Sequence, residues 1–171
     1  MKTYLMICLC IGILHTTTAQ NDIAAVTNLK LTKASSKTMK ANANYLNSID
    51  TEAMAERALK LRTLVAAYNL KTSDEYDAKE KSVYTVNFKE GQNKVIATYD
   101  NNGNILQCKE VYKDIRLPLS VSQKLIKENP GYHIGNTMCK IDYNTQSATK
   151  TINYKVELLN DTDRKVVRLT I

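Results

Sequence analysis

The sequence predicts an α+β fold: two tandem units, each a helix followed by antiparallel strands, with the helices packed on one sheet face. Three observations predict it. Apolar residues recur at helical spacing in residues 47–70 and again in 117–131. Short runs downstream of each helix alternate apolar and polar side chains, as half-buried strands do. Those runs also match each other, "YTVNF" with "YKVEL" and "KVI" (Lys94–Ile96) with "KVV" (Lys165–Val167), which reads as a repeat.

The chain opens with a positive Lys2, an apolar run from Tyr4 to Leu14, and small residues Thr17 and Ala19 before Gln20. That layout predicts a signal peptide over 1–19, too short in its apolar part to span a bilayer. The mature chain is then expected to be exported, periplasmic or extracellular, with no transmembrane segment. Residues 20–46 follow as a basic, partly flexible segment. From Ile23 to Ile49 it holds no acid, while Lys30, Lys33, Lys37 and Lys40 recur every three or four residues. On a helix they form one stripe suited to an anionic surface. Nucleic acid is not expected, because the segment lacks arginine and offers only Tyr45 for stacking.

The first unit spans 47–116. Ser48 or Asp50 can cap a helix whose stripe is Met54, Ala58, Leu61, Val65 and Tyr68, with Arg57, Lys60 and Arg62 mostly away from it. Strands follow at "VYTVNF", "KVIATY" and "NILQCKEVYKDI", the first two joined through "KEGQN". The stretch "YDNNGNIL" (Tyr99–Leu106) could be a calcium loop or a turn. Counting from Asp100, the sixth position is Ile105 and the twelfth Val111, where an EF-hand needs Gly and Glu. Asn102-Gly103 between apolar runs is a hairpin signal instead. The second unit spans 117–171: a helix opening at Pro118 and stopped by Asn129-Pro130-Gly131, then "YHIGNTMCKIDY", "TINYKVELL" and "RKVVRLTI".

Few side chains offer chemistry. Cys8 and Cys10 fall in the leader, leaving Cys108 and Cys139 as a disulfide candidate or as two buried free thiols. A bridge would close a loop of about 30 residues, worth on the order of 3–4 kcal/mol. Adding His133 makes no zinc site, since a fourth ligand is missing. His133 and Cys139, six apart on one strand, share a face but stand about 20 Å apart, too far for a nucleophile–base pair. Asp74 and Asp77 in "SDEYDAKEK" sit in a polar loop with lysines interleaved. Nothing calls for a cofactor, and no residue stands out as catalytic. The chain has ten tyrosines against one phenylalanine and no tryptophan. Core is the default for these, and Tyr84, Tyr99, Tyr112 and Tyr154 mark the sheet face to inspect for binding.

The run "LPLSVSQKLIKENPGYHI", preceded by "YDNNGNILQCKEVYKDI" and followed by "YKVEL" and "RKVVRLTI", resembles the exported PepSY-like (β-lactamase-inhibitor-like) proteins of Bacteroidetes-type bacteria. The matching positions are Asp100, Gly103, Leu117, Pro118, Val121, Pro130, Gly131 and Tyr132, and the likeness covers Tyr45 to Ile171. The second unit departs from the pattern by reaching Ile171 before an Asp-x-x-Gly turn. The resemblance implies a non-enzymatic binding or inhibitory module that docks a protein or peptide through its sheet face or edge. Some members of a flavobacterial subgroup carry the name nicotinate-nucleotide adenylyltransferase. That activity needs His-x-Gly-His at a helix N-terminus, and the only histidine after the leader is His133, in "GYHIGN". The alternative to a docking module is an envelope-associated protein held by the basic segment.

Overall fold

A computed structural model describes residues 20–23, 36–49, 54–74, 76–79, 83–147 and 149–171. In chain order these form β1 (Gln20–Ile23), α1 (Ser36–Ala41), α2 (Ala43–Leu46), α3 (Glu56–Ala67), a 3-10 turn (Leu70–Thr72), β2 (Val83–Glu90), β3 (Asn93–Tyr99), β4 (Ile105–Lys113), α4 (Leu119–Glu128), β5 (His133–Asn144), β6 (Thr149–Leu159) and β7 (Arg164–Thr170). The strands build one sheet in the order β1 to β7. β2 to β7 are antiparallel throughout, and β1 adds parallel to β2. The chain is thus α+β with a six-stranded antiparallel sheet. The strands on either side of residue 116 hydrogen-bond through β4 and β5, so both halves of the chain share this sheet.

Strand alternation sorts the sheet into two faces. Tyr84, Val86 and Phe88 of β2, Val95, Ala97 and Tyr99 of β3, Cys108 and Tyr112 of β4, Cys139 and Ile141 of β5, and Tyr154, Val156 and Leu158 of β6 are all buried. They join Ala58, Leu61 and Val65 of α3 and Val121 and Leu125 of α4 in one apolar cluster. α3 lies over β2 and β3, where the Tyr99 hydroxyl donates to Val65 O at 2.8 Å. Both expected helical stripes are therefore core.

Local details depart from the sequence reading in three places. α3 begins at Glu56 with Ala55 as its N-cap, not at Ser48 or Asp50. Ser48 instead sits just past α2 and donates to Tyr45 O at 2.7 Å. Residues 36–46, within the segment expected to be basic and partly flexible, contain two short helices, and Tyr45 and Ile49 are buried against the rest. The hairpin at Asn102-Gly103 is present, but only Gly103 is left-handed (φ 86°). The Asp100 carboxylate holds this turn, accepting from the N–H groups of Asn102 (2.9 Å) and Asn104 (2.8 Å) and from Asn104 Nδ2 (2.8 Å). Three residues lie between Asp100 and Asn104, whose backbones bond at 2.9 Å, and the Gly103 N–H closes the turn on Asp100 O at 3.0 Å, so a loop of this length needs a left-handed residue only at Gly103.

Candidate functional site

The tyrosines nominated as a binding face lie in the core. Tyr84, Tyr99 and Tyr112 have no exposed surface and Tyr154 retains 5%. The reason is parity: each shares its strand face with the residues under the helices. Burial, with the nearby charge of Glu110 acting on Tyr112, pushes Tyr99 and Tyr112 well above the ordinary tyrosine range.

Of the two alternatives for the cysteines, the register fits two free thiols and not a bridge. Cys108 stands opposite Tyr143, and Cys139 opposite Tyr112, so the two are four residues out of register. That offset is roughly 13 Å along the strands, beyond the ~7 Å between Cα atoms that a bridge tolerates. Both are buried free thiols. Burial raises Cys108 well above the usual thiol value and Cys139 to about 12, so neither is a ready nucleophile. His133 and Cys139 do not share a face as expected. A β-bulge between Ile134 and Thr137 reverses the alternation, leaving His133 exposed and Cys139 buried.

Asp74 and Asp77 are exposed, and the Asp77 carboxylate accepts the Lys79 N–H at 2.8 Å within its own loop. Lys37 and Lys40 lie exposed on α1. Lys30 and Lys33, like the leader 1–19, fall outside the described residues. No group of three or more metal-ligating side chains occurs among the described residues, and no described helix is long and apolar enough to cross a membrane.

One ionic cluster went unseen at the sequence level. Arg62 of α3, read as lying off the apolar stripe, is 1% exposed, and its Nη1 donates to Glu110 Oε1 of β4 at 2.5 Å. Its Nη2 donates to Tyr45 O (2.5 Å) and Ser48 Oγ (2.9 Å), and its guanidinium stacks 4.2 Å from the Tyr45 ring centre. The Tyr112 hydroxyl donates to the other Glu110 oxygen at 2.5 Å. Burial pushes the Glu110 carboxyl up, against the charge of Arg62 and the hydrogen bonds from Tyr112 and Arg62. A signal was present: Glu110 shares its parity with Cys108 and Tyr112, an acid on the core face of a strand. With both charges sealed from solvent, no substrate can meet them, and the cluster is a brace between helices and sheet.

The opposite sheet face is different, because none of the buried helical side chains packs there. Register reads it row by row. One row crosses the sheet as Lys89, Lys94, Val111, Lys140, Asn153 and Thr170. The next runs Lys113, Met138, Lys155 and Arg168. Six cations thus occupy two neighbouring rows that contain no acid, spaced about 5 Å across strands and about 7 Å along them. None of the six is in an ion pair among the described residues. Acids flank the rows: Asp142 lies exposed beyond Lys140, and Glu157 is buried beside Lys155, held by Asn136 Nδ2 (2.7 Å) and ion-paired with Arg164. A depression of about 510 Å3 opens among Lys140, Asn153, Lys155, Arg168 and Thr170. A second, of about 310 Å3, adjoins it at Lys113, Asn136, Glu157 and Arg164.

Like charges at this spacing repel, so the face carries a standing cost that a bound polyanion relieves. Its chemistry is attraction and hydrogen-bond donation, not proton transfer. Comparison with family models, curated proteins and solved structures finds no match for this chain.

Proposed function

We propose that this chain is an exported, non-enzymatic binding or inhibitory module of PepSY-like type, which docks an acidic protein or peptide across its open sheet face. The leader-like residues 1–19 support export, and the repeat of helix and hairpin patterns supports two PepSY-like units fused through one sheet. The observation that carries the docking reading is the pair of acid-free rows holding Lys89, Lys94, Lys140, Lys113, Lys155 and Arg168 on the face away from the helices. Those cations concentrate an acidic partner and set its orientation, so they act first on the rate of association.

Attachment of the basic segment to an anionic surface is the competing reading, and the exposed Lys37 and Lys40 of α1 favour it. Salt does not separate the two, because both run on lysines. Charge reversal does. The mature chain is titrated with poly-glutamate and, separately, with anionic phospholipid vesicles. Lys140→Glu/Lys155→Glu should abolish poly-glutamate binding and leave vesicle binding in place. Loss through Lys37→Glu/Lys40→Glu alone would transfer the function to the basic segment.

A further inference from the structure

Resting on the docking reading, we propose that the acidic partner adds an extended strand to the outer edge of β7. Ile152 and Ile171 exchange both backbone hydrogen bonds, at 3.3 and 2.9 Å. In an antiparallel ladder such pairs alternate. The backbone groups of Lys165, Val167 and Leu169 therefore turn inward to β6, and those of Val166, Arg168 and Thr170 turn outward. Among the described residues β7 ends the sheet, so these outward groups pair with nothing in it.

The side chains specify what fits. Arg164, Val166, Arg168 and Thr170 stand on the basic face, with Val166 40% exposed. On the helix side Val167 and Leu169 are only partly covered, and Ile171 is 60% exposed. A strand added here sets alternate residues beside Arg164 and Arg168, with Lys155 behind them, and the residues between them beside Val167, Leu169 and Ile171. Its sequence therefore alternates acidic and apolar side chains.

Charge selects a foreign strand over the chain's own. A second β7 would set Arg164, Lys165 and Arg168 beside the same three cations of its copy, while the acids at hand, Glu157 and Asp163, are already engaged by Arg164 and the Tyr132 hydroxyl. The acidic loop at Asp74 and Asp77 belongs to the β2 side, where Asp77 contacts the Tyr84 hydroxyl. Five strand spacings, about 24 Å, separate β2 from β7. Strand addition of this kind draws affinity from main-chain bonds and specificity from alternate side chains.

The test uses the mature chain and a capped seven-residue peptide of alternating Glu and Val, followed by backbone amide exchange in NMR. The peptide should protect the amides of Val166, Arg168 and Thr170, while those of Val167 and Leu169, already bonded to β6, stay as they were. N-methylating alternate peptide amides, or Val166→Pro at an outward N–H, should weaken binding about tenfold or more. The methylated peptide keeps the result independent of how well the proline variant folds. Binding that Lys113→Glu/Lys140→Glu abolishes but N-methylation spares would overturn strand addition and leave face docking standing. No peptide binding at all overturns strand addition, and only a parallel failure of poly-glutamate removes the docking reading with it.

Discussion

Arg62 and Glu110, 48 residues apart in the chain, meet at 2.5 Å in the protein interior, each almost completely hidden from solvent. One belongs to the helix and the other to the centre of the sheet, so the pair ties the two layers together. Removing either partner leaves the other charge buried without compensation, which costs about 3–5 kcal/mol. Arg62→Met should lower stability by that amount in urea unfolding. Arg62→Met/Glu110→Leu should recover most of the loss, because two apolar side chains need no partner. A double variant as unstable as the single one would show that the bonds from Arg62 to Tyr45 and Ser48 matter more than its charge.

Asn42 is a second tie. Its Nδ2 donates to Ala66 O and Gly103 O, each at 3.2 Å, and its Oδ1 accepts the Ile105 N–H at 2.8 Å. One side chain thereby joins the α1–α2 junction, the end of α3 and the β3–β4 turn. Asn42→Ala strands buried groups on both, and should cost about 3 kcal/mol in denaturant unfolding. A loss within the ordinary range of surface substitutions would refute this role.

Alkali should unfold the protein steeply. Burial raises Tyr45, Tyr99 and Tyr112 and the thiols Cys108 and Cys139 in the folded state. Acids with raised folded values contribute stability that is complete below their unfolded values. It is lost as pH climbs past those values, 9.0 for the thiols and 10.0 for the tyrosines. Each group removes about 1.4 kcal/mol per pH unit once its unfolded form ionises. The melting temperature should therefore be steady near pH 8 and fall sharply between pH 9 and 11, less so in Cys139→Ala. A flat profile across that range would contradict the burial of these side chains.

The thiols should be inert in the native state. For a chain beginning at Gln20, which holds only Cys108 and Cys139, intact-mass analysis after alkylation without reductant should show no modification when folded and two alkylated cysteines after unfolding. A mass two units low, with no alkylation in either state, would mean that Cys108 and Cys139 are bridged after all.

What could be read from this sequence is what local physics writes into it. Alternation at Tyr84, Val86 and Phe88, the stop at Pro130-Gly131 and the Asp100–Gly103 turn each depend on a few adjacent residues. The strands and α4 appear within a few residues of where those signals place them. Period two also divides every strand into two faces, but it does not say which face the helices will cover. Alternation alone therefore leaves Tyr84, Tyr99, Tyr112 and Tyr154 as core or docking surface, and the packing of the helices on their face makes them core.

The tertiary structure decided everything that depends on distance across the sheet. Glu110 finds Arg62 only because α3 lies on the same face, and neither residue's neighbours announce the other. Cys108 misses Cys139 because the register of β4 on β5 offsets them. The basic rows exist because Lys94, Lys140, Lys155 and Arg168, scattered along the chain, are brought side by side by hydrogen-bonded strands. Periodicity is a property of neighbours in sequence, whereas charge pairing and surface potential belong to neighbours in space.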